Sequence, residues 1–128
     1  MKIARNDVPT RMQAPGVTLR QQLDFGDASG YGKVSGEFYS LAAGVDTAPL
    51  FVGLEGDLCQ SPHWGYVLKG RITTTDAQGR RETVAAEDLF YWPPGHNVRV
   101  EEDADLIMFS PQREHARVVD HLIQKTRG

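Results

Sequence analysis

The sequence predicts an all-β barrel followed by one α-helix. Two observations carry that prediction. Short strand-like runs punctuated by turns fill the chain from Val17 to Pro111, a spacing that suits a sandwich or barrel. After Pro111 the apolar residues Ala116, Val119, Leu122 and Ile123 recur at helical spacing. A chain of 128 residues fits one core, so a single domain over residues 1–128 is expected, with an N-terminal arm at 1–16, a barrel at 17–111 and a helix at 112–125.

In chain order, residues 1–16 carry Pro9 and Pro15-Gly16 without a sustained period, and read as a surface arm or short edge strand. Val17, Leu19 and Leu23 share one parity, as in a half-buried strand. Gly26 to Gly32 read as a loop and Glu37 to Gly44 as a second strand. Leu50 to Leu54 form a short apolar run that suits a buried strand. Trp64 to Leu68 are strand-like by composition. Arg71–Thr75 and Arg81–Val84 flank the turn Asp76 to Gly79 and predict a hairpin. Leu89 to Trp92 are an aromatic strand, and Asn97–Glu101 and Leu106–Phe109 two strands flanking an acidic turn. Ser110 followed by Pro111 suits a helix N-cap with proline at the first helical position. Double-sheet jelly rolls manage their open edges in this kind of arrangement, and the terminal helix is expected to cover one side.

The charge of −3 is spread without a basic cluster, which argues against a nucleic-acid surface. No run approaches the ~18 apolar residues of a membrane span, and the N-terminus lacks the apolar core of a secretory signal. The single cysteine cannot close an intramolecular disulfide. A cytoplasmic protein is therefore expected, whose partners are a small molecule and a second copy of itself.

That cysteine, Cys59, stands four residues before His63, and another histidine, His96, follows the rigid Pro93-Pro94-Gly95 turn. If the two stretches meet, Cys59, His63 and His96 form a metal site. Thiolate and imidazole suit zinc first, with Fe, Ni or Cu as alternatives, whereas Ca²⁺ and Mg²⁺ want oxygens. Three protein ligands leave an open position of the catalytic kind. Taken singly, each has a plainer reading, the cysteine as a small buried hydrophobe and each histidine as a hydrogen-bonded core residue.

The segment Cys59-Gln60-Ser61-Pro62-His63-Trp64-Gly65-Tyr66-Val67 through Gly70-Arg71, with Pro93 to His96, resembles the two motifs of the cupin superfamily over about residues 50–111. Counting back from Gly70, His63 takes the family's glutamate position, Cys59 its second histidine and Asp57 its first. Glu87-Asp88 stands where Gly-Asp is usual. Pro93-Pro94-Gly95 fits the family's turn, but Val98 occupies the usual histidine position and His96 comes two residues early. These departures preclude a direct transfer of the three-histidine, one-glutamate site. The resemblance is to a narrower group of small bacterial single-domain cupins. It implies a cupin barrel with Cys59, His63 and His96 as metal ligands.

Asp57, of the same parity as Cys59 and His63, is a candidate fourth ligand or partner to an imidazole, or else only caps the turn after Gly56. Tyr39, Gln60, Trp64, Tyr66, Trp92 and Val98 are candidates to line a pocket, with Tyr91 and Phe109 further aromatic candidates. His115 and His121 on the helix are expected to face solvent or an interface. Two functions compete: a metal-dependent enzyme acting on a small organic molecule, and a non-catalytic metal-binding or ligand-binding module or sensor. The evident proton-transfer groups are only Glu55, Asp57 and Tyr66, and the reaction is left open.

Overall fold

The computed structural model describes residues 1–26 and 30–127; part of the predicted loop at 26–32 therefore lies outside the described residues. Seven antiparallel strands make one curled sheet. They are β1 (Thr10–Ala14), β2 (Val17–Gln22), β3 (Val34–Leu41), β4 (His63–Asp76), β5 (Arg81–Ala85), β6 (Leu89–Trp92) and β7 (His96–Pro111). Helix α1 (Ala48–Phe51) precedes β4, and helix α2 (Gln112–Arg127) follows β7. The order is β1-β2-β3-β7-β4-β5, with β6 pairing β4 beyond β5.

The two long strands organise the rest. Residues 104–111 of β7 pair with β3 along one edge, and residues 96–109 pair with β4 along the other. β4 in turn holds β6 through His63–Tyr66 and β5 through Arg71–Thr75, which is the predicted hairpin. Side chains alternate across a strand, and β7 buries even positions toward both ends, His96, Val98 and Val100 and then Ala104, Leu106, Met108 and Ser110, while Glu102 between them is exposed. β4 begins on odd positions, His63 and Val67, and ends on even ones, Ile72 and Thr74. The change of parity falls at irregular register between Val67 and Ile72, where bulges let both ends of one strand face inward. Gly70 sits in that bend at φ +89°, and a Cβ there would strike the Asp103 carbonyl and Ala104. Only glycine meets both demands.

Four expectations are corrected. Leu50 to Leu54 is not a strand: Pro49 occupies the start of α1, and the positive-φ Gly53 ends the apolar run. Asn97 to Phe109 is not two strands but part of one, because Glu102 meets Arg71 at 3.5 Å, Asp105 meets Arg5 at 3.4 Å and Asp103 accepts the Ala43 N–H at 2.8 Å. With their charges matched on the outer surface, the acidic residues stay in the sheet. Ser110 is no helix cap: it is the last inward residue of β7, and its hydroxyl is committed to the interior. His115 does not face solvent. It is 2% exposed, on the same α2 stripe as Val118, Val119 and Leu122. The N-terminal arm includes β1, an edge strand paired with β2.

Candidate metal centre

Cys59 precedes β4 and is joined to the first residue of β7 by backbone hydrogen bonds, Cys59 N–H to His96 O at 2.9 Å and His96 N–H to Cys59 O at 3.2 Å. This bridge brings the two predicted stretches together. His63 opens β4 and pairs across to Trp92 of β6. The Sγ of Cys59 and one ring nitrogen each of His63 and His96 all lie within 4.8 Å of one another, and all three residues are buried. Cys59 and His63 share no strand, so equal parity is not what aligns them; the bridge to His96 is.

Hydrogen bonds fix which nitrogens are available. Nδ1 of His96 lies 2.7 Å from the Pro93 carbonyl, which can only accept, so Nδ1 carries the proton and Nε2 presents a lone pair. Nδ1 of His63 lies 2.6 Å from the Ser110 hydroxyl, which donates to Glu37 Oε1 at 3.3 Å. The hydroxyl's proton is thereby used, Nδ1 of His63 donates to its oxygen, and Nε2 is left facing Cys59 Sγ at 3.4 Å. A metal-bound imidazole ordinarily donates its other ring N–H to a carbonyl, carboxylate or water, as His96 does to Pro93.

The donor set fits a transition metal. Zinc bonds of ~2.3 Å to sulfur and ~2.0 Å to nitrogen at a tetrahedral angle put S and N about 3.5 Å apart, close to the observed 3.4 Å. Burial, more than any partner, pushes the Cys59 thiol up to about 12. Burial also lowers the His96 imidazole to about 4, against the Pro93 carbonyl, which raises it. His63 is held well below its ordinary value by burial and then by the neighbouring His115 and His96. Both imidazoles are therefore neutral and ready as ligands at pH 7, while the thiol must lose its proton to become one.

Behind His63 lies a second buried cluster that the sequence reading did not assemble. Glu37, 1% exposed on β3, accepts from Gln21 Nε2 at 2.8 Å, Ser35 Oγ at 2.6 Å, His115 Nδ1 at 2.6 Å and Ser110 Oγ. Burial pushes its carboxyl up, but His115 and the hydrogen bonds from His115, Ser35 and Gln21 outweigh that and hold it below the ordinary value. Nε2 of His115 meets the Tyr39 hydroxyl at 3.4 Å. Two signals pointed here: Glu37 shares the parity of Tyr39, and His115 lies three, four and seven residues before the buried Val118, Val119 and Leu122.

Both clusters border one interior cavity of about 70 Å³, where Cys59, His63, His96, His115, Tyr39 and Trp92 meet walls that are otherwise mainly aliphatic. Val98 also lines it. Four predicted positions lie elsewhere. Asp57 is exposed at φ +58° and its carboxylate accepts the Gly53 N–H at 3.0 Å, so it caps its turn. Gln60 donates to the Glu55 carbonyl at 2.9 Å. Trp64 and Tyr66 have the parity opposite to His63 and Val67 and lie outside the barrel, Trp64 stacked on Tyr91 at 5.3 Å. Phe109 is likewise outward and 40% exposed. A larger open groove of about 800 Å³ beside Trp64 and Phe109 contains neither cysteine nor histidine. Among the described residues no helix is long and apolar enough to cross a membrane.

The curled sheet, with β4 and β7 as its long central pair and a histidine-bearing interior, is the cupin jelly roll. A cupin from Shewanella frigidimarina of the RmlC-like type superimposes with TM-score 0.60 at 16% identity, over 89% of this chain and 93% of that one. The polyketide cyclase RemF of Streptomyces resistomycificus gives 0.58 at 20% identity, over 87% and 78%. Oxalate decarboxylase of Bacillus subtilis, a protein with Mn(II) centres, gives 0.58 at 20% identity over 86% of this chain, which spans only 29% of the decarboxylase. No protein-family model matches the sequence, and no curated protein matches it. The chain has the cupin fold.

Proposed function

We propose that this protein binds a divalent transition metal through Cys59, His63 and His96 and uses the open side of that metal to hold a small organic molecule. The observation that carries the proposal is the convergence of three buried ligand atoms within 4.8 Å, two of them imidazole nitrogens whose opposite ring positions are already hydrogen-bonded. Zinc suits one thiolate and two imidazoles best, with Fe, Ni and Cu next. Such a metal supplies Lewis acidity or an acidified water. His96 and His63 are held in ligand-ready tautomers by Pro93 and by the Ser110–Glu37 pair.

Elemental analysis of protein purified without a chelating column tests the metal. About one equivalent is expected, with a sharp fall in Cys59→Ser, His63→Ala and His96→Ala and no change in His121→Ala, whose ring bonds the Val52 carbonyl away from the site. Less than about a tenth of an equivalent, with no uptake on titration, overturns the proposal. The buried thiol suits a reducing compartment. The exposed face built from Trp64, Leu89, Tyr91 and Phe109 suits a homodimer, for which light scattering is expected to give twice the chain mass of 14.2 kDa.

A further inference from the structure

The cavity beside the proposed metal site also limits what can enter it. We infer that its ligand is a compact, uncharged, largely hydrocarbon molecule of about five to seven heavy atoms carrying one acceptor oxygen, and not a carboxylate or a sugar. The inference rests on the metal-site reading for where the oxygen sits, and on the cavity walls for the rest.

Size comes first. A single water needs roughly 10–15 Å³ of such space, so about 70 Å³ holds about five to seven water-sized groups. A hexose, with twelve heavy atoms, exceeds that. The walls come next. Met12, Val17, Leu50, Leu106, Met108 and Leu122 are typical of them, and a sugar's hydroxyls would find too few partners there.

Charge is decided by what is missing from the lining. Among the described residues no lysine or arginine borders the cavity. Arg11 donates to Gln21 Oε1 at 3.0 Å and lies within 3.4 Å of Asp120, outside the lining. The buried Glu37 carboxylate lies behind the lining, bonded directly to His115 and through Ser110 to His63. An entering carboxylate would lose its water in an apolar chamber that already has a buried anion at its back, with only a metal already bound by the Cys59 thiolate to balance it.

The polar end is marked by Trp92. Its indole N–H is buried without a hydrogen-bond partner, the residue is 3% exposed, and its ring lies 5.8 Å from the His96 ring and 6.3 Å from that of His63. Buried indole N–H groups ordinarily find an acceptor. One orphaned donor beside the histidines matches a single acceptor oxygen on the ligand.

Isobutyramide and isobutyrate, each of six heavy atoms and nearly the same shape, separate the alternatives. In Trp64→Phe protein the buried Trp92 is the only tryptophan left, and its fluorescence reports binding whether or not a metal is present. Isobutyramide is expected to bind at least about tenfold more tightly than isobutyrate at pH 8, and Leu50→Phe, which fills the cavity from its half-buried rim, to abolish the response with the circular dichroism unchanged. Equal or tighter binding of isobutyrate overturns the inference, as does the absence of any response to isobutyramide, or an undiminished response in folded Leu50→Phe. Failure to take up metal overturns the metal reading instead and is recorded separately, by elemental analysis of the same samples.

Discussion

The barrel interior contains two polar clusters that touch through His63 and differ in how they use their hydrogen bonds. Around Glu37 every strong donor and acceptor is matched: four donors meet one carboxylate, and each comes from a different element, β2, β3, β7 or α2. Around Cys59 the pattern is the reverse. His63 and His96 each use one nitrogen on the protein and leave the other toward the cavity, and the Trp92 N–H has no partner among the described residues. A closed network stiffens and specifies a core. An open one costs stability unless something else completes it. The difference assigns the first cluster to holding the fold and the second to holding a ligand.

The largest effect follows from opening the closed cluster. Glu37→Leu leaves His115 and the surrounding donors without their shared acceptor, and breaking a buried pair in this way costs about 3–5 kcal/mol. Urea unfolding of the metal-free protein measures it. A loss below about 1 kcal/mol would show that the network contributes nothing beyond packing, and the contrast between the clusters would break.

Acid sharpens the contrast through the open cluster. Native His96 titrates near pH 4, whereas the unfolded side chain titrates near 6.5. Between those values the unfolded state binds more protons, so the stability of the metal-free protein is complete above about pH 6.5 and falls as the pH drops toward 4. His96 alone accounts for about 3 kcal/mol, and His63, lowered for the same reason, adds to the loss. Thermal unfolding midpoints from pH 7 to 4 give the measurement, and a flat profile would mean that solvent reaches both rings. The closed cluster responds later, since, against the upward push of burial, the neighbouring His115 and the hydrogen bonds hold the Glu37 carboxyl below its ordinary value.

The sequence disclosed the open cluster more readily than the closed one, for a physical reason. Cys59, His63 and His96 lie beside Pro and Gly turns that fix local geometry, so short-range spacing points at them. The strands of the barrel, the β4–β5 hairpin and the terminal helix were legible from period and turn residues alone. Glu37, Ser110, Gln21 and His115 are instead brought together over separations of 16 to 78 residues, through pairings of β2, β3 and β7 that no local pattern reveals. A buried glutamate reads as surface until its four donors are known. The same limit misplaced Trp64 and Tyr66: their composition is that of a core, but the register of β4, set by His63 and Val67 facing inward, turns them out.

The smallest effect is a count of one proton. Metal-free Cys59 is a thiol, its titration pushed to about 12 by burial, and His96 is already neutral at pH 7, as is His63, which burial holds well below its ordinary value. A metal that takes all three ligands therefore displaces a proton only from sulfur, and titration of Zn²⁺ in weak buffer with a pH indicator is expected to release about one proton per ion. Cys59→Ser is expected to abolish most of that release while shifting metal-free stability by no more than about 1 kcal/mol, because the thiol's only close partners are His63 at 3.4 Å and the Ser61 carbonyl at 3.8 Å. Two protons per ion would mean that an imidazole is charged before binding and that the cavity is wetter than its walls suggest. No proton at all would remove Cys59 from the ligand set and leave two histidines, too few to hold zinc in a closed barrel.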